Sequence, residues 1–280
     1  MVGRALEYDA DEAPQLLHRL ATPPHRRRTV WLGAGALGLV AASVNGADPT
    51  VGHLDLLAVD PDHRRAGIGS ALVTAAERAL WDLGVREVRW CGNPPCYAWP
   101  GVDVRYTPAI CCAGALGYEQ YMAAQNMVVD LADADLATAA DEERLAGEGV
   151  TVRRGTADDL LALHDWAIRV WNPSWAWEIE QSVLADGAGL HVALRREDGA
   201  ILAFAGHGAN RPSWFGPMGT DPDARKLGLG NVLLRRCLAD QREAGHATAQ
   251  IGWVGPVPFY ARTVGARLDR IFWMYRKSLT

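Results

Sequence analysis

The 280-residue chain is short of several things, and each shortage removes a class of function. Positive charge is not in excess: 28 lysines and arginines stand against 33 acids, for a net charge of −5 and a pI near 5.9. A nucleic-acid binder needs a basic face to neutralise phosphates, so nucleic acid is excluded as a partner. The one dense basic run, His25-Arg26-Arg27-Arg28, reads as a solvated loop. Long apolar runs are missing as well. The uncharged stretch from Val30 to Val44 is too short to span a bilayer and is rich in glycine, which argues against a membrane role. The start, Met-Val-Gly-Arg-Ala-Leu-Glu-Tyr-Asp, stays mixed in charge and lacks the pattern of a secretory signal, so a cytoplasmic setting is expected. Cysteine is sparse and unpaired in pattern. Of five, four (Cys91, Cys96, Cys111, Cys112) fall close together without a Cys-x-x-Cys spacing, and neighbours on a helix diverge by about 100°. That is neither a disulfide framework nor a zinc site, and no metal is expected.

What the chain does have is one stretch written twice. Val59-Asp60-Pro61-Asp62-His63-Arg64-Arg65-Ala66-Gly67-Ile68-Gly69-Ser70 is matched by Thr220-Asp221-Pro222-Asp223-Ala224-Arg225-Lys226-Leu227-Gly228-Leu229-Gly230-Asn231. Each copy follows an apolar strand-like run (His53 to Val59; Trp214 to Thr220) and opens a helix that stops at Gly84 or Gly245. The spacing from proline to helix-ending glycine is the same in both copies, so the segments align without a gap. With 49% hydrophobic residues, each half can form its own core.

A basic glycine turn at a helix N-terminus is an anion site. Glycines remove the Cβ atoms that keep a ligand off the backbone, the exposed N–H groups point outward, and Arg64-Arg65 or Arg225-Lys226 add positive charge suited to a diphosphate. Neither the dinucleotide fingerprint nor a Gly-Lys-Ser/Thr phosphate loop is present, so NAD and ATP are poor ligands for it.

At these residues the sequence resembles the GNAT acetyltransferase superfamily, whose signature is Arg/Gln-x-x-Gly-x-Gly/Ala after a strand. The doubling gives it the layout of mycothiol synthase and actinobacterial tandem GNAT proteins. The resemblance implies an α/β (α+β) fold, two tandem GNAT folds, each a mixed, largely antiparallel sheet flanked by helices. It also implies acetyl-CoA as acyl donor, its pyrophosphate on Arg64, Arg65, Ala66, Gly67, Ile68, Gly69 and Ser70, or on Arg225, Lys226, Leu227, Gly228, Leu229, Gly230 and Asn231. Leu57 and Val59, or Met218 and Thr220, would hold the pantetheine arm. The expected division is residues 1–130 as an N-terminal domain, 131–149 as an alanine- and acid-rich linker, and 150–280 as a C-terminal domain.

The catalytic expectations follow from the same resemblance. The family's acid is a tyrosine in a Phe-Tyr-x-x-x-Gly context, and Phe259-Tyr260-Ala261-Arg262-Thr263-Val264-Gly265 matches with one extra residue. A phenol of reference pKa about 10 can protonate a leaving thiolate of pKa about 8.5. In the first half the matching place, counted back from Gly117, holds Cys112 or Ala113, so that half is expected to be degenerate in catalysis. The base stays open: His207 is one candidate, Glu178 and Glu180 are weaker ones, and the family's usual strand position holds Trp214 and His53. The loop Asn93 to Pro100 is either a packed plug or a pocket wall. The tryptophans at 166, 171, 175 and 177 are either core or an aromatic acceptor site. The expected function is acetyl transfer to a small-molecule amine in the second half. The alternatives are a non-catalytic acyl-CoA sensor or scaffold and a protein or peptide N-acetyltransferase.

Overall fold

A computed structural model describes residues 1–24 and 27–280. In chain order the elements are α1 (Val2–Ala5), a 3-10 turn (Ala10–Glu12), α2 (Ala13–Ala21), β1 (Thr29–Gly33), β2 (Gly38–Val44), β3 (Val51–Val59), α3 (Ile68–Asp82), β4 (Glu87–Trp90), β5 (Val102–Asp103), α4 (Thr107–Ala115) and β6 (Glu119–Asp130). They continue with α5 (Ala139–Gly147), β7 (Val150–Arg154), α6 (Leu160–Val170), α7 (Pro173–Leu184), β8 (Gly189–Arg195), β9 (Ile201–His207), β10 (Trp214–Thr220), α8 (Leu229–Glu243), β11 (Thr248–Ile251), α9 (Val257–Val264) and β12 (Arg267–Ser278). No helix among the described residues is long and apolar enough to cross a membrane.

The chain forms two compact units: Met1–Gln125 with Arg270–Thr280, and Asn126–Asp269. They differ from the two halves expected from the repeat, because each half surrenders its last strand. β12 pairs antiparallel with β4 and β5 in the first unit, while the end of β6 pairs antiparallel with β11 in the second. A strand's alternating pattern records that one face is buried but not which sheet it joins, so the repeat could not reveal this. Each sheet is mixed and largely antiparallel. In the first unit β1-β2-β3 run antiparallel and β3 pairs parallel with β4. In the second, β7-β8-β9-β10 run antiparallel and β10 pairs parallel with β11.

Helices cover both faces of the first sheet. α3 and α4 bury Leu72, Val73, Ala76, Leu80 and Ala113 with Leu54 of β3, whereas α1 and α2 bury Ala5, Leu16 and Leu20 with Leu56 and Ala58. Strand periodicity is 2, so Leu54 and Leu56 should share a face. They do not. The pairing with β2 slips between Leu54 and Leu56, leaving Asp55 as a bulge that reverses the parity of the residues after it.

Candidate active site

The two glycine turns have nearly the same backbone. Asp60 and Asp221 each cap a 3-10 turn by accepting from the N–H two residues on, and Arg64 (φ −66°, ψ 161°) matches Arg225 (φ −62°, ψ 151°). Arg65 and Lys226 follow with φ of 66° and 81°, and Gly67 and Gly228 both have φ 81°. Such switches in the sign of φ turn successive N–H groups toward one side, forming a nest for an anion at the start of α3 or α8. A Cβ on Gly67 would meet no protein atom within 4 Å, so this nest faces open space. The second nest is partly covered. Arg144 of α5 donates to Leu227 O at 3.0 Å, and a Cβ on Gly228 would lie 3.3 Å from its Nη2.

Beside each nest two parallel strands part. β3 and β4 are in register over Val51 to His53, and β10 and β11 over Trp214 and Phe215. Beyond those residues the facing edges lack ladder partners and can pair with an extended ligand, as an added strand would. The open nest and the parted strands together suit a ligand that joins a diphosphate to an extended, amide-bearing arm.

Asp55, the bulge residue of β3, lines the cavity beside the first nest. Its Oδ1 is buried and has no hydrogen-bond partner, and burial pushes the carboxyl up to about 7, against the opposing effects of a Ser43 hydrogen bond and the Arg27 charge. A carboxyl poised near neutrality can take a proton from an incoming ligand at physiological pH. Asp55 lines a cavity of about 470 Å³ that also touches Leu57, Val59, Arg64, Gly67, Gly69 and Ser70, so the anion nest and the carboxyl open on one space. Cys112 adjoins that space, 3.8 Å from the Ser70 hydroxyl, and burial raises its thiol pKa.

The loop between β4 and β5 supplies Tyr97, Ala98 and Trp99 to the cavity lining, so it is a wall rather than a plug. Arg27 fixes it by donating to the carbonyls of Asn93 and Cys96, each at 2.8 Å, and of Pro94 at 2.6 Å. The basic run read as solvated is thus partly a clamp at Arg27, while His25 and Arg26 lie outside the described residues. A second clamp is ionic. Arg270 of β12, 2% exposed, bridges Asp9 (Nη1 to Oδ1, 2.6 Å) and Asp103 (Nε to Oδ2, 2.6 Å), and Asp9 Oδ2 also accepts from Trp99 Nε1 and the Tyr106 hydroxyl, each at 3.1 Å.

The second unit fills its corresponding space differently. Its bulge, between Phe215 and Met218, carries Gly216 and Pro217, which have no titratable group. Trp171 and Trp175 lie against Gly219, where a Cβ would come within 2.8 to 2.9 Å of them, and with Trp166 they surround Phe204 as core. Tyr260, 7% exposed, packs against Phe215 and Phe259 in the core, where burial pushes its hydroxyl up to about 12. Phe259 meets the nest, 3.4 Å from a Cβ on Gly230, so α9 does adjoin the second turn. His207, 2% exposed, shares Asp240 Oδ2 with His191 at 3.4 and 2.9 Å, well down α8 from the nest. Glu178 is buried with Asn210 Nδ2 donating to it at 3.0 Å, and desolvation pushes it up to about 8. A concavity of about 980 Å³ in this unit is lined by Asp165, Arg195, Asp221 and Leu227 among others, and includes none of Tyr260, His207, Met218 or Gly228.

The structure therefore brings Leu57, Val59, Arg64, Arg65, Gly67, Ile68, Gly69 and Ser70 onto one cavity, which Ala66 does not line. In the second unit Met218 and Leu227 pack beside the core that holds Leu229, and Thr220 stays paired with Ala203. The candidate that sequence reasoning passed over is Asp55. A lone acid at an otherwise apolar position of a strand was the available signal.

The sequence profile of the Acetyltransferase (GNAT) family matches residues 4–98. Mycothiol acetyltransferases of Mycobacterium avium (strain 104) and Mycolicibacterium paratuberculosis (strain ATCC BAA-968 / K-10) are each 30% identical to the chain, across 95% of it and 79% of their own length. Among solved structures, a tandem GNAT protein from the clavulanic acid biosynthesis pathway superposes with a TM-score of 0.72 at 16% identity, over 99% of this chain and 92% of that one. A GCN5-related N-acetyltransferase from Sphaerobacter thermophilus gives 0.63 at 17% identity, over 99% and 90%.

Proposed function

The chain belongs to the GNAT family of acetyltransferases, and from that premise we propose that its first unit moves an acetyl group from acetyl-CoA to the primary amine of a small molecule. The observation that carries this reading is the single cavity joining the nest at Gly67–Ser70 to the unpartnered carboxyl of Asp55. The nest and Arg64 hold the diphosphate, and the β3 edge at Leu57 and Val59 aligns the arm. Bound acetyl-CoA supplies the activated acetyl carbonyl. Asp55 takes one proton from the acceptor's ammonium, freeing the nitrogen lone pair that bonds to the acetyl carbonyl carbon; as the thioester C–S bond breaks, the remaining extra proton on that nitrogen passes to the leaving thiolate, which departs as free thiol.

The walls favour a small acceptor over a protein side chain. A lysine on a folded protein needs an open groove, whereas here the loop from Asn93 to Trp99 is pinned by Arg27, Asp9 and Arg270. The acceptor of the mycothiol relatives is one candidate. A second reading keeps transfer in the second unit, favoured by Tyr260 on the helix beside the Gly228 nest. On the first reading that nest binds acetyl-CoA without turnover, stabilising the fold by mass action.

Thiol release from acetyl-CoA with a panel of amines separates the two when measured on Gly67→Val and Gly228→Val. Loss of release in the first and retention in the second supports the first-unit reading. The reverse pattern assigns transfer to the second unit, and no release from wild-type protein with any amine leaves an acyl-CoA-binding sensor.

A further inference from the structure

The polar groups around the first cavity are nearly all spoken for, and what remains unclaimed describes the acceptor. Asp103 receives Arg105 N at 2.9 Å and Nε at 3.1 Å on Oδ1, and Arg270 Nε at 2.6 Å and Arg105 Nη2 at 2.7 Å on Oδ2. The polar ends of Trp99 and Tyr106 are spent on Asp9, and the Tyr106 oxygen also accepts from Tyr8 N at 3.2 Å. Cys91 Sγ accepts from the Tyr121 hydroxyl at 3.5 Å. Among the described residues lining the cavity, two buried side-chain polar atoms have no hydrogen-bond partner: Asp55 Oδ1 and Trp90 Nε1. The Trp90 indole is packed on Tyr118, ring centroids 5.3 Å apart, on the α3 and α4 face of the sheet.

The cationic side chains of the lining are equally constrained. Arg64, Arg65 and His63 stand at the nest, where the diphosphate needs them, and Arg64 Nη2 already donates to Ala5 O at 3.2 Å. The remaining acid, Glu7, is exposed at the rim. The acceptor end thus offers one unpartnered carboxylate oxygen, apolar surface from Leu6 and Ala98, and the sides of Trp99 and Tyr106, whose polar tips are turned to Asp9.

We propose that the acceptor is a monoamine with an apolar, flat body, an arylalkylamine in chemical class, its ammonium on Asp55 and its body between Trp99, Tyr106 and Leu6. This rests on the assignment of transfer to the first unit. An amino acid would bring a carboxylate to a region without a spare cation, and an amino sugar would bring hydroxyls to partners already used. Leaving such groups buried and unpaired is what a site of this kind rejects most strongly. A polyamine would bring a second ammonium with no buried carboxylate to receive it. An indole and a phenol ring flanking the entry suit both the cation and an aromatic body.

The test is thiol release from acetyl-CoA by the full chain with 2-phenylethylamine, glucosamine, lysine, spermidine and the acceptor of the mycothiol relatives. The expected result is kcat/KM for 2-phenylethylamine ~10²-fold or more above glucosamine and lysine, since unpaired polar groups cost that much in an apolar site. Trp99→Leu should raise KM for 2-phenylethylamine without changing KM for acetyl-CoA. If Trp99→Leu does not fold, the wild-type panel alone decides. Preference for glucosamine, lysine, spermidine or the mycothiol acceptor, with release abolished by Gly67→Val, overturns the acceptor class and keeps transfer in the first unit. Release that survives Gly67→Val and is lost in Gly228→Val overturns the first-unit assignment, and the inference with it.

Discussion

The two units repeat a backbone more faithfully than they repeat a chemistry. Both have an aspartate-capped turn, positive φ at matching residues of the nest, strands that part beside it, and a bulge on the strand that leads in. The side chains on that shared frame diverge. At the bulge the first unit has Asp55 and the second has Gly216 and Pro217. Beside the nest the first has the small Cys112 and the second the ring of Phe259. On the far side the first has ring walls around open space, while the second has Trp171 and Trp175 packed against Gly219. A backbone nest binds any diphosphate because its donors are main-chain N–H groups, so it survives nearly any substitution that spares its glycines. Catalysis needs side chains at a few positions, and these vary without disturbing the fold.

The sharpest way to break the comparison is to spoil one nest at a time. Valine at 67 would sit at φ near 81°, a region β-branched residues avoid, and would place a side chain in the space the first-unit reading gives to the diphosphate. Gly67→Val should reduce thiol release to background while Gly228→Val keeps most of it. Equal losses in both variants would mean that the units act together and that the contrast drawn from their side chains is wrong.

Next in size is Asp55→Asn, which keeps the shape and removes the proton acceptor. Turnover should fall about 10²- to 10⁴-fold with little change in acetyl-CoA affinity. The pH profile gives an independent reading. Asp55 titrates near 7 and accepts a proton only when ionised, so wild-type kcat/KM should rise with pH through about 7 and the variant should lose that rise. An unchanged profile in the variant would assign the ionisation elsewhere.

How much of this was legible in the sequence depended on what each feature is made of. The nests were plain because glycine spacing and a proline are local rules, and the strand that leads into each nest and the helix that opens from it were legible in the same segments. The exchange of β6 and β12 was not plain, since pairing is decided at a distance. Asp55 was hidden for a related reason. Only the slipped register between β2 and β3 shows that it is a bulge, and only the folded cavity shows that it is part of a lining rather than one acid on an ordinary strand. Arg270 carries no local signal, and its role needs Asp9 and Asp103 brought beside it. Tyr260 and His207 show the other side of this. Their residue types and contexts suggested chemistry, while the fold places the first in a core and locks the second to Asp240.

Tyr260→Phe sharpens the contrast with a smaller effect. On the first-unit reading it should change turnover by less than about threefold, because the ring's packing on Phe215 and Phe259 is kept and the hydroxyl it removes donates no proton to the reaction. A fall of 10-fold or more would return catalysis to the second unit.

The smallest expected effect concerns the buried carboxyl that the second unit does have. Glu178 resembles Asp55 in having its carboxyl pKa raised by desolvation, here from 4.5 to about 8, but it is buried on α7 beside Asn210 and lines neither cavity. Between pH 4.5 and 8 the folded protein keeps this proton while the unfolded chain has released it. Unfolding therefore liberates a proton, and raising the pH through that window must favour the unfolded state until the folded carboxyl also ionises. Glu178→Gln has no proton to release and loses this part of the pH dependence. Its melting temperature should lie near that of wild type at pH 5 and above it by roughly 3 °C or more at pH 8.5, with thiol release unchanged. Parallel melting curves for the two proteins across that range would show that Glu178 is already ionised in the fold. A change in turnover would show that the second unit's buried acid reaches a reacting group.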